Sequence, residues 1–317
     1  MKILPFLLVA IIPVAQLFAT DTTTFRHPER YVAATAYHLQ QLALQPQSAY
    51  HAHQAACYSA LRQLPDSMLR LSLIALQNGD LPEALMADTD FNHLHATTQW
   101  GTLTDTIRAV LLRRNQGITH PELAWELWLM GVDDQRPRTL HRYHKSGGNP
   151  TDNGYEQRVQ RMEAIVKQHG WPTFSMVGRD AARAAFLIVQ HSNLIATCLP
   201  RLIEAAMAGE AELQHAAMMI DRHLCMRDRG QIYGTQFVRA HTLDPETKTL
   251  RLGDSSTPHP IAEFEWLSAR RKHVGLIPFE EACVQHQAQL CDVKNAGRIR
   301  RRWIRRGYLL GMSKPRE

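Results

Sequence analysis

Almost everywhere in this 317-residue chain the apolar residues recur three and four positions apart, the spacing that turns one face of an α-helix toward a core. Only after Gly230 does the period shorten. Ile232, Phe237 and Val238 on one arm, and Leu250 and Leu252 on the other, flank the polar run Asp244-Pro245-Glu246-Thr247 and predict a β-hairpin near 232–252. The fold class expected is therefore mainly α, with one small hairpin. A hydrophobic fraction of 44% and a charged fraction of 21% can fill such a core, and they exclude a disordered chain.

Between Tyr31 and Val110 the helices read as short. Ala34, Tyr37 and His38 begin the series, Ala55, Ala56, Tyr58 and Leu61 continue it, and Met68, Leu71, Leu73 and Ala75 run to the stop signal Asn78-Gly79. Alanines where helices touch, with a Gly or Asn at each stop, resemble degenerate tetratricopeptide repeats, although the Trp and Leu-Gly of the strict repeat are missing. A helical-repeat region is thus expected over 21–116. From Pro121, which suits the first turn of a helix, the pattern lengthens into a second helical domain over 117–291. Its helices are expected near Glu122–Met130, Tyr155–His169, Asp180–His191, Leu194–Met207 and Ala211–Arg227, then Ile261–His273 and Pro278–Leu290. Asp133 to Arg138 and the Gly- and Asn-rich run from Lys145 to Gly154 read as loops.

Residues 1–20 have the layout of a secretory signal peptide: Lys2, an apolar run from Ile3 to Val14, and the small residues Ala19 and Thr20. A periplasmic or extracellular location follows as an expectation. Cys57, Cys198, Cys225, Cys283 and Cys291 are odd in number and widely spaced, so no disulfide framework is read from them. Of the formal charge of +6, most lies in a basic tail over 292–317, where nine Lys or Arg meet two acidic residues. Its arginines interleave with Ile299, Trp303, Ile304 and Tyr308, and the segment is expected to make at most a weak contact with anionic membrane. Nucleic acid is not an expected partner, because export separates the two.

Gly170-Trp171-Pro172-Thr173, Gln190-His191-Ser192-Asn193, Asp221-Arg222, Gln231-x-Tyr233-Gly234-Thr235-Gln236 and the segment from Arg270 to Leu276 follow one another in order. Together they resemble a bacterial family known only as a domain of unknown function, over about Leu123 to Glu281. Members of that family commonly carry helical repeats upstream. Where the family has Gln-His-Ala-Asp, this chain has Asn193 in place of the carboxylate.

Asp221 borders the apolar face formed by Leu213, Ala217, Ile220 and Leu224, where a carboxylate needs a partner. His191, at the end of a neighbouring helix, is the expected one, and such a pair can act as general acid and base. Gln190, Gln231, Tyr233, Thr235, Gln236 and Arg270 are expected to bind a polar ligand, with Gln231, Tyr233 and Thr235 sharing one face of an extended segment. No metal site or cofactor is expected: the close pairs His51-x-His53, His93-x-His95 and His141-x-x-His144 match no zinc motif, and Cys-x-x-Cys and phosphate-binding loops are absent. The reading that follows is an exported binding or interaction module with a polar pocket and a protein or peptide partner at the helical-repeat groove. The alternative is a hydrolase-like enzyme using Asp221 and His191.

Overall fold

The computed structural model describes residues 28–144, 154–243, 250–288 and 295–312. The apolar N-terminal segment, all but the last residue of the expected loop from Lys145 to Gly154, the polar run Asp244 to Thr247 and Cys291 lie outside the described residues. The architecture is mainly α, with one two-stranded antiparallel sheet. The chain divides into two compact units: Met1–Ile107 with Arg138–Pro150, and Arg108–Pro137 with Thr151–Glu317.

In the first unit α1 (Pro28–Leu44), α2 (Ala49–Leu61) and α3 (Pro65–Gln77) follow one another through short loops, and α2 packs against both neighbours. The sequence shows why α2 takes the middle. Ala52, Ala55, Ala56, Cys57, Ser59 and Ala60 are all buried, so only small side chains stand between α2 and the flanking helices. Ser48 caps its start by accepting the His51 N–H at 3.2 Å. Pro65 and Pro82 open α3 and α4 (Pro82–Ala87) in the first turn, where a missing N–H costs nothing. A 3₁₀ turn at Thr89–Leu94, capped by Asp88, delivers Phe91 to the core. After it comes α5 (Thr98–Arg114), within which the boundary between the two units falls.

The second unit is built on α6 (Pro121–His144) as far as Pro137, α7 (Tyr155–His169), α8 (Phe174–Gln190), α9 (Ile195–Met207) and α10 (Leu213–Cys225). Leu127, Met162, Ile165, Ala185, Leu202 and Ile220 are among the side chains of its continuous core. The expected loop at 133–138 is not there: α6 runs through it. Asp133 pairs with Arg136 one turn on at 3.3 Å, and Asp134 is held by His191, so acidic residues that look like breakers are satisfied within a helix. Gly178 (φ 78°) kinks α8 near its start, where a Cβ would fall 2.3 Å from the Asn115 side chain.

The sheet pairs β1 (Phe237–Leu243) with β2 (Leu250–Pro258), from Phe237 opposite Pro258 to Leu243 opposite Leu250, with an irregularity between Arg239 and His241. Ile232 is therefore not on a hairpin arm; it is buried in the main core. Beyond the sheet, α11 (Leu267–His273) and α12 (Phe279–Gln285) form a smaller cluster around Ile261, Leu267, Phe279 and Cys283. The basic segment is not a separate tail. Ile299, Trp303 (in the short α13, Arg301–Arg305), Tyr308, Leu309 and Leu310 join the main core, while the arginines at 298, 300, 301, 302, 305 and 306 stay exposed. Aromatic and aliphatic surface on that segment is worth more against the core than in water.

Candidate functional site

The polar residues that sequence reasoning singles out fall into two places in the second unit. Asp221 lies on α10 with no exposure. Residues 231–236 wrap around it instead of running extended, and the turn at Gly234 (φ 67°) points successive N–H groups inward. Asp221 Oδ1 accepts the N–H of Ile232 at 2.7 Å and of Tyr233 at 3.0 Å; Oδ2 accepts the N–H of Thr235 at 3.0 Å and its hydroxyl at 2.9 Å. Burial pushes the Asp221 carboxyl up from the usual range, and the N–H groups of Tyr233, Ile232 and Thr235 oppose that.

The carbonyls of the same segment are equally spoken for. Arg270 donates to Ile232 O at 2.7 Å and Ala262 O at 2.7 Å; Arg271 donates to Tyr233 O at 2.7 Å, Gly234 O at 2.9 Å and Ile277 O at 2.7 Å. Burial lowers both guanidinium groups, and the Asp221 charge opposes it. Gln231 donates to Gln236 O and His259 O and accepts the Gln236 N–H, while the Tyr233 hydroxyl donates to Tyr308 O at 2.9 Å. Gln236 reaches Thr235 Oγ1 at 3.1 Å. Gln231, Tyr233 and Arg270 are at most 2% exposed, and Gln190 is buried at the end of α8. The structure thus brings Asp221, Gln231, Tyr233, Thr235, Gln236 and Arg270 together, but as an interlocked knot and not as an open pocket. Each donor there is used on backbone or on its neighbour.

His191 does not belong to that knot. It caps the C-terminus of α8, and its Nδ1 lies 2.7 Å from Oδ2 of Asp134 on α6. The Asp221–His191 pairing is corrected accordingly: Asp221 is filled by N–H donors eleven to fourteen residues away, and the carboxylate that meets His191 is Asp134. The Asp134 side chain is 3% exposed and that of His191 16%, so the carboxylate is sealed behind an imidazole that reaches the surface. No described side chain meets its Nε2. Sequence reasoning missed Asp134 because Asp-Asp-Gln-Arg-Pro has the composition of a loop.

A second feature of this unit was not signalled either. A shallow, solvent-open cleft lies between α5, α6 and α8, lined by Leu111, Asn115, Trp125, Trp128, Val177 and Asp180 among others. None of the expected site residues faces it. Trp125 and Trp128 stack with ring centroids 5.2 Å apart, a pair that the three-residue spacing on α6 allows. Asn115 is fixed by bonds to Leu111 O and Asp180 and by the N–H of Arg179.

The first unit holds a third polar group, on α2. His53 Nδ1 lies 2.6 Å from Asp80 Oδ2, and its Nε2 lies 3.2 Å from Asp88 Oδ2. Cys57, one turn along, donates its thiol to the same Asp88 oxygen at 3.3 Å. Burial lowers the His53 pKa, but hydrogen bonds to Asp80 and Asp88 outweigh it and raise the imidazole to about 9, and burial pushes the Cys57 thiol up.

Residues 152–291 match a family of unknown function (DUF6624). That span takes in His191, Asp221, the 231–236 knot, Arg270, Arg271 and the α8 wall of the tryptophan cleft, and it leaves Asp134, the α5 and α6 walls of that cleft and the first unit outside. No curated protein and no solved structure matches the chain.

Proposed function

We propose that this chain is an exported binding protein in which the matched domain serves as a rigid frame, and that its ligand contact is apolar. One observation carries the reading: the polar signature around Asp221 is spent on its own backbone, so a ligand there would have to displace bonds that hold the core. The cleft at Trp125 and Trp128 remains, a shallow and mostly apolar depression that supports contact with the edge of one aromatic or branched side chain of a peptide. Titration with indole, phenol and isobutyl compounds, followed by ligand-observed NMR and tryptophan fluorescence, tests this. Binding that Trp125→Ala removes supports the reading. Binding indifferent to Trp125→Ala, or a polar ligand that protects the amides of 231–236, refutes it.

Support for export is the charged start and apolar run of residues 1–20. N-terminal sequencing from the producing cell checks it, and an intact Met1 on a soluble cytoplasmic product ends it. The short helices α1 to α3 support a repeat-like interaction surface for a protein partner, on which Tyr37 and Tyr50 remain exposed. The six exposed arginines between 298 and 306 support a weak, salt-sensitive contact with anionic lipid.

The Asp134–His191 pair favours a second reading, that of an acid–base catalyst. A buried carboxylate that fixes one imidazole nitrogen leaves the other in a defined tautomer for proton transfer. In that reading Asp134 is a positioning residue and His191 the catalytic one. Loss of an activity in both His191→Gln and Asp134→Asn, with the fold retained, would establish it.

A further inference from the structure

We propose that His53 Nε2, Cys57 Sγ and the Asp88 carboxylate are the three protein ligands of a divalent transition-metal site in the first unit, with zinc the best fit and one coordination position left open. This goes beyond the binding reading and shares no residue with it.

Three features of the backbone set the ligands before any ion arrives. His53 and Cys57 are four residues apart on α2, which puts them on one helical face a turn apart. Asp88 comes from the far end of α4, where Oδ1 caps the 3₁₀ turn by accepting the Asp90 N–H at 2.9 Å. That cap fixes the carboxylate and turns Oδ2 toward α2. The three donor atoms all lie within 4.8 Å of one another.

Two of the three edges have the length of a tetrahedron's edges about an ion, and the third, from His53 to Cys57, is no longer than 4.8 Å. Ligand atoms about 2.0–2.3 Å from a zinc ion at tetrahedral angles are roughly 3.3–3.7 Å apart. Here His53 Nε2 to Asp88 Oδ2 is 3.2 Å and Cys57 Sγ to Asp88 Oδ2 is 3.3 Å, so closure on an ion needs movements of tenths of an ångström.

Behind the site, Asp80 Oδ2 is 2.6 Å from His53 Nδ1. A carboxylate on the outer nitrogen is the arrangement that holds a metal-bound imidazole in the tautomer whose other lone pair faces the ion.

The donor set selects the ion. One nitrogen, one thiolate and one carboxylate form a set of intermediate softness that suits zinc or cobalt and is poor for calcium or magnesium, which want oxygen throughout. In the metal-free chain the positions are bridged by two protons, one on His53 Nε2 and one on the Cys57 thiol. Binding of M²⁺ would displace both, so two protons are released per ion and the charge of the site does not change. Cys57 is buried, whereas the Asp88 side chain is 26% exposed, which leaves an approach for the ion and for a water in the fourth position.

The test uses the full chain stripped with a chelator and titrated with Co²⁺, then with Zn²⁺ in competition. Expected are one ion per chain, intense visible bands of a tetrahedral cobalt site, a thiolate-to-cobalt charge-transfer band in the near ultraviolet, and their loss on adding Zn²⁺. Cys57→Ser keeps the size and hydrogen bonding of the side chain, and should abolish the charge-transfer band and weaken binding at least about tenfold. Asp80→Asn should keep the band and weaken binding about 10- to 100-fold. His38→Gln, a substitution at a separate histidine pair of this unit in which the Nδ1 atoms of His38 and His51 lie 3.0 Å apart, should change neither. The proposal is overturned if cobalt gives only the pale octahedral spectrum, or if Cys57→Ser, shown folded by circular dichroism, binds as the unaltered chain does.

Discussion

Asp221→Asn replaces an acceptor oxygen with an amide nitrogen at a point where only donors converge. Whichever way the amide is turned, one end is NH₂. Placed at Oδ2 it opposes the N–H of Thr235, and placed at Oδ1 it opposes those of Ile232 and Tyr233. At least one buried N–H loses its partner, which costs about 1–3 kcal/mol. The substitution also removes the one negative charge common to the surroundings of Arg270 and Arg271, which are 2% and 3% exposed, and breaking a buried charge compensation raises the total to about 3–5 kcal/mol. For a unit of nearly 200 residues, each kcal/mol moves the melting temperature by about 2–4 °C, so a fall on the order of 10 °C is expected. Differential scanning calorimetry of the two proteins side by side measures it. A melting temperature within about 2 °C of the unaltered chain would refute the view that this carboxylate holds the frame, and would return it to the catalytic candidates.

Two further outcomes follow from the same packing. Trp303→Ala should cost about 3–5 kcal/mol and lower the melting temperature about as much as Asp221→Asn, because the indole fills the main core; a change under about 1 kcal/mol in denaturant titration would mean that the segment is only laid on the surface. His215, stacked on Phe186 at 4.1 Å, is lowered to about 4 by burial and then by Arg183, so the stability it allows is complete above its unfolded value near 6.5 and is lost as pH falls toward 4. At pH 5 the loss is about 1–2 kcal/mol after allowance for its partial exposure, and His215→Phe should flatten that part of the acid limb; an identical pH profile in the variant would refute the assignment.

How much of this was legible in the sequence depended on the range over which each residue finds its partner. Helices announced themselves because alanines and leucines repeat within a few residues, and the centre of α2 could be read from its alanines alone. Asp221 was legible as a carboxylate forced against an apolar face, but what fills it is a set of backbone N–H groups, which carry no residue code. The same blindness hid Asp134. Its composition speaks for a loop, and His191, 57 residues further on, is among the partners that make a helical position tolerable. The arginine-rich segment misled in the opposite sense, since its charges are what a reader sees first while Trp303, Tyr308 and Leu310 decide where it goes. The matched family bears out the resemblance to a domain of unknown function over residues 152–291 and leaves its chemistry open.

The bond from the Tyr233 hydroxyl to the carbonyl of Tyr308 spans 75 positions of chain. During synthesis, therefore, α8 to α10 and the knot around Asp221 emerge well before the residues that seal them. Until 299–310 arrive, Ile203, which Gly307 meets closely and which is 6% exposed in the finished fold, lacks part of its cover. The nascent second unit must wait with greasy surface showing, and it offers holding chaperones a longer engagement than a domain whose layers close in the order they are made.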